Sequence, residues 1–263
     1  MRPREGRRLI SYSNRHGASW ACSVLFFCAL FSGAAQAVSA DPEKILAESD
    51  LSRGGGYAGL AWDVNVNSIG AKDVEDEQTL LHVMVADQSS LAEISEPLRN
   101  KGFRILQVGR NMWIGKPGMR KPVAISPRQR LSGQAALGDI AATAYARDYA
   151  ATALREESVA GEPCFVLDLS ASRPNTTYDR ITYWVSERSG LAVKAQFLSV
   201  SGKPLKNAEF TYENRVTVNG RSIPFISKMT IRDALTADST TLTFSGIRIK
   251  DIPVSVFQIN NLQ

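Results

Sequence analysis

Phe165-Val166-Leu167-Asp168-Leu169-Ser170, Ile181-Thr182-Tyr183-Trp184-Val185-Ser186 and Val193-Lys194-Ala195-Gln196-Phe197-Leu198 decide the fold. Apolar side chains fall at every second position (165, 167, 169; 181, 183, 185; 193, 195, 197), the period of a strand with one face buried. No helical crossover separates the three runs, which excludes parallel βαβ units and makes them neighbours in an antiparallel sheet. Ser189-Gly190, Ser201-Gly202 and Asn219-Gly220 supply the positive-φ residues of tight hairpins. Outward from this centre, residues 225–232 and 240–250 continue the pattern. Upstream, Leu60, Trp62, Val64 and Val66 alternate with Ala61, Asp63, Asn65 and Asn67, and residues 79–86, 91–96, 103–108 and 111–115 are further strands. The expectation is a mainly β (α+β) protein with one large meander of about ten strands. Twist and apolar burial make so large a sheet curl or take a cover.

Two helices are expected. Asp41-Pro42-Glu43 places a cap, a first-turn proline and a favourable first-turn carboxylate at the start of a helix that runs to about Leu51 and stops before Gly54-Gly55-Gly56. The second covers the sheet: in residues 131–149, Leu137, Ile140, Ala141, Ala144 and Tyr145 share one helical stripe, with Asp139 in the first turn. Such a segment reads equally as a movable lid or a fixed plug.

Residues 1–40 read as an export signal. Arg2, Arg4, Arg7, Arg8 and Arg15 form a charged start, residues 20–31 are apolar, and Ala35-Gln36-Ala37 and Val38-Ser39-Ala40 are small-residue cleavage sites. Cleavage after Ala40 leaves 41–263 as a single domain. The segment holds five Arg and one Glu, so its loss lowers the net charge from +5 to +1 and removes the case for nucleic acid. One cysteine, Cys164, and one histidine, His82, remain. Neither a HExxH nor a paired-cysteine pattern is present, which argues against zinc chemistry. No GxSxG elbow accompanies His82, which lies inside an apolar run as an ordinary strand residue. The reading names no catalytic residue, cofactor or metal. Residues 97–138 contain nine Lys or Arg and no acid, leaving −8 for the rest of the mature chain. Prolines 117, 122 and 127 hold this stretch extended, and its charge suits anionic headgroups or an acidic docking surface.

Arg110-Asn111-Met112-Trp113-Ile114-Gly115-Lys116-Pro117-Gly118-Met119-Arg120-Lys121-Pro122, followed by Ser126-Pro127-Arg128-Gln129-Arg130 and Gly138-Asp139-Ile140-Ala141, resembles the LolA-like outer-membrane lipoprotein-sorting proteins, a broad branch of the LolA/LolB superfamily. The likeness continues through Tyr178-Asp179-Arg180-Ile181-Thr182-Tyr183-Trp184-Val185, Asn219-Gly220-Arg221-Ser222-Ile223-Pro224 and Phe257-Gln258-Ile259-Asn260-Asn261-Leu262. The resemblance implies an incomplete antiparallel β-barrel with covering helices. It also implies a periplasmic carrier that shields acyl chains of lipoproteins or lipids, with an inner-membrane exporter as donor and an outer-membrane acceptor. Gly115 departs from the pattern, since relatives place a larger side chain there.

A carrier needs apolar walls and no catalytic chemistry, because each methylene kept from water is worth about 0.8 kcal/mol. The candidate cargo-binding residues are Trp62, Val64, Met84, Met112, Ile114, Phe165, Leu167, Tyr183, Val185, Phe197, Met229, Ile231 and Phe244. The candidate lid is Leu137, Ile140, Ala144 and Tyr145. Arg120, Lys121, Arg128 and Arg130 are expected to dock transiently on a membrane or partner. Period two fixes alternation without fixing which face is inward. Two other classes compete with the carrier: a lipid-sensing or accessory module of an envelope complex that does not shuttle, and a hydrolase.

Overall fold

Edge to edge, thirteen strands hydrogen-bond in one antiparallel sheet. The computed structural model describes residues 40–69, 77–141 and 144–263; the charged start, the apolar run and both cleavage motifs of the export signal lie outside the described residues, apart from Ala40. In chain order the elements are α1 (Pro42–Leu51), β1 (Leu60–Ile69), β2 (Glu77–Ala86), β3 (Ser89–Glu96), β4 (Arg104–Val108), β5 (Asn111–Gly115), β6 (Val123–Ile125), β7 (Arg130–Ser132) and β8 (Ala135–Ala136). There follow α2 (Leu137–Ala141), α3 (Tyr145–Asp148), β9 (Tyr149–Val159), β10 (Glu162–Ala171), β11 (Arg180–Ser186) and β12 (Ala192–Leu198). The last are β13 (Pro204–Thr211), β14 (Asn214–Val218), β15 (Arg221–Phe225), β16 (Lys228–Asp233) and β17 (Ser239–Ile249), before short 3₁₀ turns at the C-terminus. The sheet order is β6-β5-β4-β3-β2-β1-β17-β16-β13-β12-β11-β10-β9.

The expected strands pair in the expected sense. Leu167 faces Tyr183 and Leu169 faces Ile181 across β10 and β11, and Tyr183 faces Ala195 across β11 and β12. Gly190, Gly202 and Gly220 all take positive φ at their hairpins. The path is not a simple meander, however. The last strand, β17, returns to pair with β1, and β13 skips the β14–β15 hairpin to pair with β16. Residues 225–232, expected as one strand, are split between the end of β15 and the start of β16. The chain bends at Ile226, whose N–H donates to the Ser52 carbonyl at 2.8 Å.

This order leaves β6 and β9 as the two free edges of an unclosed barrel. The cover is the connection between them, so it must cross the opening. It is not the single helix expected over 131–149, but a short hairpin (β7, β8) followed by two brief helices. Gly133 explains part of the break: it takes φ +50, and a Cβ there would sit 2.2 Å from the Ser68 hydroxyl and 2.3 Å from the Thr240 hydroxyl. Ala144 is extended and ends the helical stripe before α3. The edges are protected differently. Strand β6 is three residues long, and the edge strand β9 donates the Ala151 N–H to the Glu43 carboxylate of α1 at 2.8 Å, a shield that edge strands need. Helix α1 begins as expected, with Asp41 accepting the Glu43 N–H at 3.0 Å.

Candidate functional site

The inner sheet face and the cover bury one continuous core. Of the candidate cargo residues, Trp62, Val64, Met112, Leu167, Tyr183, Val185, Phe197, Met229, Ile231 and Phe244 lie in it, and Ile114 packs on its margin. Most are sealed: Trp62, Tyr183, Phe197 and Ile231 are 0% exposed. Two candidates fall elsewhere. Met84 is on the opposite face, because Trp62 and Val64 pair with Val83 and Leu81, which puts Val83 inward and Met84 outward, against Ile252, Phe257 and Leu262. Phe165 is half-buried and lies outside the core cluster. Gly115 also belongs to this C-terminal packing. A Cβ there would come within 2.6 Å of Leu262, so the larger residue of the family pattern has no room.

Over β9–β13 the space under the cover is filled by aromatic rings. Tyr178 stacks on Phe197 at 3.9 Å between centroids, and Tyr145 meets Tyr149 and Tyr183 edge-on at 5.4 and 5.5 Å. Arg53, only 3% exposed, sits 4.2 Å over the Tyr145 ring and donates to the Tyr183 hydroxyl at 3.2 Å. Asp50 lies nearby, accepts the Ala146 N–H at 2.7 Å, and leaves Oδ1 without a partner. Burial pushes its carboxyl up to about 6, opposed by the Arg53 charge. Asp139 accepts from the Tyr178 hydroxyl at 2.9 Å and the Ala136 N–H at 2.8 Å, and burial raises it too. Of the candidate lid, Tyr145 is buried among these rings, Leu137 and Ile140 are buried on α2 against β3 and β4, and Ala144 is half-buried.

Over β3–β6 the cover leaves a hollow of about 480 Å³, open on one side. Ile94, Phe103, Ile114, Ile125, Leu131 and Leu137 form its apolar wall, and Asn100, Gln129 and Arg130 its polar lining. Turns set by the prolines shape this wall: the Gln129 N–H donates to the Ser126 carbonyl at 3.0 Å, and the N–H groups of Leu137 and Gly138 fold back onto Gln129 and Pro127. An apolar concavity of this size with a few polar groups has the character of a small-ligand site. Ile114, a candidate cargo residue, and Leu137, a candidate lid residue, both line this hollow. Ile94, Phe103, Ile125 and Leu131 were missed as a set, because nothing in strand alternation says where a cover fails to fill the space beneath it.

The four docking candidates separate. Arg120 and Lys121 are exposed on the turn before β6. Arg128 is committed, donating to Asp179 at 2.6 and 3.2 Å and to the Thr176 carbonyl at 3.0 Å. Arg130 lines the hollow. His82 holds Asp63 at 2.7 Å on the outer face, and Cys164 lies buried there with Val166 and Trp184. Among the described residues no helix is long and apolar enough to cross a membrane.

Known proteins share this architecture. A family of uncharacterized proteins matches residues 86–263. A LolA superfamily protein from Nitrosomonas europaea is 30% identical, with a TM-score of 0.75, over 85% of this chain and 100% of that one. A putative outer membrane lipoprotein-sorting protein domain from Vibrio parahaemolyticus (18% identity, TM-score 0.69, 84% and 97% covered) and a DUF1329 family protein from Desulfovibrio piger (17% identity, TM-score 0.67, 85% and 100% covered) share the fold. The curated proteins contain no match. With its unclosed sheet, crossing cover and a relative at this identity over the whole fold, the chain belongs to the LolA superfamily.

Proposed function

We propose that this protein is a periplasmic carrier that shields acyl chains of a lipid or lipoprotein and moves them towards the outer membrane. The observation that carries the proposal is the open apolar hollow between the β3–β6 edge and the cover. Acyl chains enter water at a cost of about 0.8 kcal/mol per methylene, and a hollow walled by six apolar side chains offsets that cost during transit. In this reading residues 1–40 are a cleaved export signal, 41–263 form the working domain, and the protein is a binder without catalytic chemistry. Arg120 and Lys121 contact anionic headgroups during loading or delivery, with an inner-membrane exporter as donor and an outer-membrane acceptor. Superfamily membership supports the envelope setting, and the name of the Vibrio parahaemolyticus neighbour, a putative outer membrane lipoprotein-sorting protein domain, agrees with the class of cargo.

Mass spectrometry of organic extracts from protein purified from its native envelope tests the proposal. Stoichiometric acyl lipid or lipoprotein is expected. Protein free of any acylated species, which also fails to take up a fluorescent acyl probe, overturns it.

A further inference from the structure

The charges around the hollow narrow what it holds, an inference that rests on the acyl-binding reading. Its lining includes no carboxylate, and eight of its nine residues come from the acid-free stretch 97–138. Two cations of that stretch are neutralised, Arg104 by Glu93 at 2.9 Å and Arg128 by Asp179 at 2.6 Å. Arg130 and Lys116 are exceptions, with no ion pair among the described residues. Arg130 lines the hollow, and the Lys116 ammonium lies 5.2 Å from the centroid of Phe103, one of its walls. Uncompensated cations beside low-dielectric walls focus a positive potential into the opening. Asn100 and Gln129 supply amide donors beside them.

Size gives the second constraint. A hollow of about 480 Å³ is in the lower half of the range of roughly 300–1,000 Å³ found for small-ligand sites. Elsewhere in the core Trp62, Phe197 and Ile231 are fully buried against their neighbours. We propose that the hollow takes an anionic amphiphile with one acyl chain, its carboxylate or phosphate head held by Arg130 and Lys116 and its chain laid along Ile114, Ile125 and Leu137.

Displacement of a fluorescent acyl probe from the purified protein tests this, with competitors of equal chain length. Palmitate and lysophosphatidylglycerol carry the two anionic heads, monopalmitoylglycerol is neutral, lysophosphatidylcholine is zwitterionic, and phosphatidylglycerol has two chains. At least one anionic single-chain ligand is expected to bind about tenfold tighter than the neutral one, and the stronger of the two identifies the head as carboxylate or phosphate. Arg130→Gln with Lys116→Gln is expected to bring that ratio near unity without weakening the neutral ligand. Ile125→Trp, checked for native circular dichroism, is expected to weaken every ligand. Equal binding of neutral and anionic ligands, or a preference that survives the double charge variant, overturns the head assignment alone. Two-chain phosphatidylglycerol binding as tightly as its one-chain form overturns the chain assignment. Failure of every amphiphile to bind removes the carrier reading itself.

Discussion

Two halves of one concave face, built by the same alternating strands, end in opposite states. Over β9–β13 the cover brings Tyr145, β9 begins with Tyr149, Tyr178 joins from the loop before β11, and Arg53 reaches in behind α1, so the space is filled. Over β3–β6 the cover lines the hollow with Gln129, Arg130, Leu131 and Leu137 and brings no ring to its wall, so space remains. The sheet therefore makes the walls, whereas the side-chain volume carried by the cover decides which part is core and which part is site. A filled region should resist truncation badly and bind nothing; a hollow should tolerate truncation and bind ligand.

The largest expected effect follows from that contrast. Phe197→Ala should destabilise the fold by about 3–5 kcal/mol, because a fully buried ring leaves a cavity. Ile125→Ala, at the half-buried wall of the hollow, should cost only about 1 kcal/mol. Urea unfolding of both variants checks this, and equal losses would erase the distinction between the halves.

The filled half should also be the pH-sensitive one. Asp50 is held at about 6 against an ordinary value of 3.8, so the native state binds its proton more tightly than the unfolded chain does. Its contribution is fully present below about pH 4 and is lost as pH rises through about 6, an effect of up to about 3 kcal/mol. Asp139 shifts in the same direction, also by burial, so the wild type alone does not isolate Asp50. Asp50→Asn should flatten the difference in urea midpoint between pH 4 and pH 7 and raise stability at pH 7. A variant with the wild-type slope would contradict this account.

The smallest effects belong to the basic stretch. Arg128→Gln breaks its two bonds to Asp179 and should cost up to about 1 kcal/mol of stability. Arg120→Gln with Lys121→Gln should change stability by less than about 0.5 kcal/mol while weakening sedimentation with anionic vesicles at low salt. The reverse assignment, with vesicle binding lost only in Arg128→Gln, would move the docking surface to the Arg128 side.

What was legible in the sequence had a local cause. Alternation at 165–169, 181–185 and 193–197 gave strands and their pairing but not the inward face, and a bulge turns Val193 to the outer cluster while Ala192 faces the core; Asp41-Pro42-Glu43 gave α1. Strand β9 escaped because Arg155, Glu156 and Glu157 sit on an exposed edge, where charges guard against further pairing and hide the apolar period. Met84 was misdirected because both faces of β2 carry apolar residues: Leu81, Val83 and Val85 face the core, and Met84 faces the C-terminal turns. The cover's apolar stripe was real in its burial and wrong in its geometry, since the Gly133 contacts with Ser68 and Thr240 are long-range. The hollow was the least legible part, because it is defined by missing volume between segments distant in sequence.

Photocrosslinking tests the central claim most directly. An acyl chain bearing a terminal diazirine, loaded into the purified protein and activated, should attach to Phe103, Ile114, Ile125, Leu131 or Leu137, as read by peptide mass spectrometry. Adducts concentrated instead on Leu167, Tyr183 or Phe197 would show that the filled half opens to receive cargo, and would contradict the division of the molecule into core and site.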